Sequence, residues 1–196
     1  MYNLQACFRA APGPVLDAVA VFVTAPSANA AFRRAVGRMR RWWEGQEGGD
    51  QGVDPAPSSC ATPEQAAILA ALYARLNRTH FAAALPADVP LRLSDRMSRR
   101  FGHIHYTRRA GQRAVAEIAL NVDLFLRGNE RHLEETLLHE MAHAEAWLAH
   151  GDRGHGPVWR TIARRVGCEA RACSRVRIRR RVRGSRVTDV PVLAGD

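Results

Sequence analysis

The segment Leu137-Leu138-His139-Glu140-Met141-Ala142-His143 sets two imidazoles four residues apart, with a carboxylate beside the first. On a helix that spacing puts both histidines on one face, where they can share one metal ion, with the glutamate next to a water on that ion. The expected chemistry is a zinc ion (Zn2+) held by His139 and His143, with Glu140 as the base that takes a proton from water before attack on a carbonyl. Two core or surface histidines would leave the same letters. This pair, however, falls inside a strongly helical stretch, and further ligand candidates follow it.

A catalytic zinc site takes three protein ligands and keeps one position open. His150 lies seven residues past His143, about 10 Å further along a helix axis at 1.5 Å per residue, too far to share the ion. Metzincins would place their third histidine at position 149, which is Ala149 here. Glu169 could serve as a thermolysin-type glutamate ligand, but it sits in an arginine-rich stretch. His155, in Gly154-His155-Gly156-Pro157, is best placed, because a glycine-flanked turn can fold back over the preceding helix.

His139-Glu140-Met141-Ala142-His143-Ala144 followed by His155-Gly156-Pro157-Val158-Trp159 resembles the SprT-like (Spartan-type) metalloprotease domain. The resemblance implies zinc on His139, His143 and His155 and a catalytic base at Glu140. Upstream, Glu117-Ile118-Ala119-Leu120-Asn121 is similar to that family's last strand before the active-site helix, and Glu135-Thr136-Leu137-Leu138 to its helical lead-in. It also implies an endopeptidase of a zincin-like fold, acting on proteins associated with DNA, with substrate extended along a sheet edge. The strand from Ala114 to Leu120 is the candidate edge. Many members carry a zinc ribbon with two C-x-x-C pairs, whereas only Cys168 and Cys173 stand in that region here, so the ribbon is expected to be missing.

The elements that must position these residues are α+β in character. Apolar residues at helical spacing from Val15 to Trp43 predict two helices divided at Pro26, with Arg33, Arg34, Arg38, Arg40 and Arg41 on the second. A Gly, Pro, Ser and Asp stretch over 46–61 reads as a linker. Thr62 caps a helix that starts at Pro63 and runs toward Phe81. Alternation then predicts three strands, at Leu91 and Leu93, Gly102 to Thr107 and Ala114 to Leu120, the last two joined by a turn at Ala110-Gly111. They are expected to form a small antiparallel sheet packed on the active-site helix, which spans about Glu130 to Ala149. A short helix opens at Pro157. The division expected is a helical segment 1–45, the linker, a metalloprotease domain 62–168 and an arginine-rich tail 169–196.

The 196 residues are 46% hydrophobic and 24% charged, enough for one sizeable core. The 29 basic residues are all arginine and the net charge is +10. Arg175, Arg177, Arg179, Arg180, Arg181 and Arg183 in the tail are candidate nucleic-acid contacts, sequence-independent and salt-sensitive, since guanidinium groups bind phosphate in a bidentate way. A solubilising basic tail reads equally well from the letters. Cys7, Cys60, Cys168 and Cys173 form no C-x-x-C pair and are expected to be reduced thiols. The apolar run from Val15 to Ala25 is short and broken by Asp17, so no signal peptide or membrane span is expected and the cytoplasm is the default location. Against the peptidase stand two other readings: a nucleic-acid or protein binding module with a structural zinc, and a three-histidine nuclease, which would not need Glu140.

Overall fold

The computed structural model describes residues 11–25, 29–46, 58–98, 100–168, 177–182 and 184–191. Two compact units divide the chain, Met1–Ala56 and Pro57–Asp196. In the first, helix α1 (Gly13–Thr24) is followed by helix α2 (Ala30–Gln46), with Asn29 Oδ1 accepting from the Ala31 amide at 2.9 Å. Phe22 stacks on Phe32, ring centroids 5.2 Å apart, and Val15, Ala18 and Ala35 are buried. Pro26, Cys7, Cys173 and the middle of the expected linker lie outside the described residues.

The second unit begins with helix α3 (Pro63–Phe81). Thr62 Oγ1 accepts from the Gln65 amide and Gln65 Oε1 accepts from the Thr62 amide, a reciprocal cap that fixes where the helix starts. Leu69, Leu72, Tyr73 and Leu76 make its buried stripe. Strands β1 (Leu91–Ser94), β2 (Gly102–Arg109) and β3 (Gln112–Asn121) follow. Ala110 (φ 49°) and Gly111 (φ 79°) supply the two left-handed residues of the predicted hairpin turn.

The sheet is mixed, in the order β1-β3-β2, and not antiparallel as expected. β2 pairs antiparallel with β3, but β1 pairs parallel with it, Leu91 opposite Ile118 and Ser94 opposite Asn121. β1 and β2 thus leave a place between them, and the hairpin returns β3 into it. β3 is therefore central, and the expected edge at Ala114–Leu120 is corrected: among the described residues the strand beside the site that pairs on one side only is β2.

A single 3-10 turn (Val122–Phe125) leads to helix α4 (Glu130–His150), and helix α5 (Pro157–Arg165) follows. α4 is buried on several sides, with Leu133, Leu137, Met141 and Ala144 fully enclosed against the sheet and α3. The described parts of the arginine-rich segment, 177–182 and 184–191, pack on this core. Ile178 and Val187 are buried, and the enclosed Gln65 side chain donates to the carbonyls of Val187 and Asp189. Among the described residues no helix is long and apolar enough to cross a membrane.

Candidate metal centre

α4 carries His139 and His143 one turn apart on one face, with Glu140 beside the first. The turn after it reverses sharply: Gly151 (φ 71°) ends the helix, and the Asp152 carboxylate accepts from the Gly154 amide at 2.9 Å. A Cβ on Gly156 would stand 3.1 Å from that same carboxylate, so a side chain there would press on the loop. Gly156 and Pro157 then start α5. The reversal lays His155 across the two helix histidines, its Nε2 3.1 Å from His139 Nε2 and 3.0 Å from His143 Nε2. Trp159, fully buried, packs on all three rings at centroid distances of 4.8, 5.0 and 4.4 Å.

Three ring nitrogens converging this way fit a metal ion. A single proton on His155 Nε2 can be donated to one neighbour only, which leaves a second pair of nitrogens facing each other at contact distance. A cation among them removes that conflict, and the separations approach the edge of about 3.3 Å expected for a tetrahedral zinc with nitrogen ligands at 2.0–2.1 Å. Burial, followed by the charge of His155, pushes the His139 imidazole down to about 4. Burial with His139 and His155 pushes His143 to about 3, so both are neutral with free lone pairs near neutral pH. His143 Nδ1 is buried and has no hydrogen-bond partner among the described residues.

Glu140 is enclosed beside these rings. Burial pushes its carboxyl up to about 8, against the opposing charge of Arg100. The strand beside it makes room by having no side chain: a Cβ on Gly102 would be 2.6 Å from Glu140 Oε1 and 2.9 Å from both Glu140 Cγ and Thr136 Cγ2. Tyr106, on the inner side of β2, packs on Trp147 at 5.5 Å and its hydroxyl donates to the Arg153 carbonyl in the loop that carries His155. Burial and then the charge of Glu140 raise its hydroxyl's pKa.

The sequence model of the SprT-like family matches residues 69–181, more than half of the chain and all of this centre. The chain belongs to the SprT-like family. Germ cell nuclear acidic protein of Drosophila melanogaster is 38% identical to it over 80 residues, 40% of this chain and 7% of that protein. No solved structure matches.

In this SprT-like chain the three histidines expected to meet do meet: their ligand atoms lie within 4.8 Å of one another. His150 is exposed at the end of α4, apart from the cluster, and Glu169 lies outside the described residues. The tail arginines divide. Arg180 and Arg181 both pair with the buried Asp123, at 3.2 and 2.7 Å, and Arg179 donates to the Arg127 carbonyl at 3.0 Å. Arg177 is exposed, and Arg175 and Arg183 lie outside the described residues. Gly102 escaped the sequence reading as a member of the site, and for Tyr106, as for His105, the letters near the sheet left the direction of the side chain open. A glycine opening a predicted strand was the available signal for Gly102, since it marks close approach of another group to the backbone. For Tyr106 the alternation of β2 gives the sidedness once buried Ile104 is known to face α4.

Proposed function

We propose that this protein is a zinc-dependent endopeptidase. The observation that carries the reading is the convergence of His139, His143 and His155 Nε2 next to the enclosed carboxylate of Glu140. Zinc bound there would supply a Lewis acid that makes water a nucleophile near neutral pH and polarises the carbonyl under attack. The three imidazoles are held neutral by burial, so they present lone pairs and not protons. Glu140 receives the proton released by the attacking water and hands it to the departing amine. A carboxyl whose environment favours the protonated form suits the delivering half of that cycle, and the positive charge of a bound ion acts in the other direction, toward the accepting half. Trp159 seals the back of the centre and excludes water from behind the ligands.

β2 is the edge along which an extended peptide would lie, since it pairs only with β3 among the described residues and begins against Glu140. The nucleic-acid contact proposed for the tail rests with the exposed Arg177 and with Arg175 and Arg183, because Arg180 and Arg181 are engaged by Asp123. The reading is tested by stripping metal with a chelator and adding back one equivalent of zinc, with an unfolded protein as substrate. Cleavage should disappear and return. Refolding on zinc without any cleavage would instead indicate a binding module whose metal serves the fold.

A further inference from the structure

Gly102 lies against Glu140, so the free edge of β2 starts at the carboxylate assigned to proton transfer. Arg100, two residues before it, has an exposed side chain, and its charge is among those acting on Glu140. Arg108 and Arg109 are exposed at the other end of the strand. From Arg100 to Arg113 the sequence holds four arginines, two histidines and no acidic residue. The exposed side chains between the two ends, His103 and His105, add no negative charge. The nearest sheet carboxylate, Glu117, is taken by Arg92 through two hydrogen bonds of 2.8 and 2.9 Å, and Asp152 is turned into its own loop. An incoming strand thus meets main-chain groups that have no strand partner among the described residues, framed by guanidinium charge.

We propose that the edge of β2 selects extended peptides with an acidic side chain beside the bond to be cleaved, and that Arg100 is the residue that recognises it. The inference rests on the endopeptidase reading and adds its substrate class. Main-chain pairing with β2 supplies sequence-independent affinity, and the planar guanidinium of Arg100 supplies a fork matched to a carboxylate. A basic peptide would bring like charge to the same place. A nucleic-acid strand is the competing occupant for the same charges, but it has no use for the exposed N–H and C=O groups of a strand edge.

The test measures binding separately from cleavage. The full-length, zinc-loaded Glu140→Gln variant is titrated with three fluorescent peptides identical except for Glu, Gln or Lys at the centre, and with a single-stranded oligonucleotide. The expected order is Glu, then Gln, then Lys, with about tenfold or more between the extremes at low salt, shrinking as salt rises. Arg100→Glu in the same background should reverse the order, and as the substitution is at an exposed site the fold should survive it. Equal binding of the Glu and Lys peptides would overturn the inference, as would an order unchanged by Arg100→Glu, or binding of the oligonucleotide alone. If the acidic peptide binds best and the zinc-loaded wild type cleaves none of the three, the hydrolase reading fails and the docking assignment stands. If the wild type cleaves all three at equal rates, the docking assignment fails and the hydrolase reading stands.

Discussion

Gly102 and Glu140 share one volume: where any other residue would carry a Cβ, the glutamate carboxylate already sits 2.6 Å away. Gly102→Ala must therefore move Glu140, Thr136 or the strand. Overpacking of this kind costs about 1–3 kcal/mol, readable as a lower Tm. A displaced base should also slow cleavage by on the order of a hundredfold, with zinc affinity kept, because no histidine is touched. An unchanged rate in Gly102→Ala would show that Glu140 does not act from its observed position. At this scale the sequence was most informative. His139, Glu140 and His143 are set by helical period alone, and His155 by the glycines around it. Gly102's role was not legible, because nothing in a strand's letters says which helix will press on it.

The elements hold these residues through a few hinges. Ala110 takes a left-handed conformation at the β2–β3 turn, so Ala110→Gly should stabilise the protein by up to about 1 kcal/mol, a rise in Tm that a calorimetric scan would detect. Asn129, buried ahead of α4, is spent on the C-terminal segment: its amide donates to Asp123 O and Arg179 O and accepts from the Arg179 amide. Asn129→Ala removes the partner of the Arg179 carbonyl and amide, while the Asp123 carbonyl keeps the Leu126 amide, and should cost about 1–3 kcal/mol, measured by urea unfolding. No loss would mean that the segment does not brace α4. Helix and strand positions followed from periodicity, and Thr62 and Pro63 marked the start of α3 correctly. The parallel pairing of β1 did not follow, because alternation identifies a strand without naming its neighbour or its direction. The commitment of Arg180 and Arg181 to Asp123 was hidden for a related reason, since the partners are more than fifty residues apart and adjacent only in the fold.

Over the whole molecule the arginine excess makes each engaged carboxylate count. Glu117, held by Arg92, has its carboxyl pushed below the ordinary value of 4.5 by that hydrogen bond, with the charges of Arg92, His105 and His103 contributing. A folded-state value lower than the unfolded one means that the unfolded chain binds the proton more readily. The stabilisation is therefore present above about pH 4.5 and is lost as the pH falls through the folded value. Glu117→Gln should flatten the stability profile in that acid range, and an identical profile in the variant would remove the pair from the account. Composition told of a basic protein with enough apolar residues for a core, but not which charges would be spent internally. The metal centre is probed by Glu140→Gln, with zinc content and cleavage of an unfolded protein measured on the same preparation. The variant should hold one zinc per chain, keep its fold and cleave nothing. Wild-type cleavage by the variant would contradict the role of Glu140 in proton transfer.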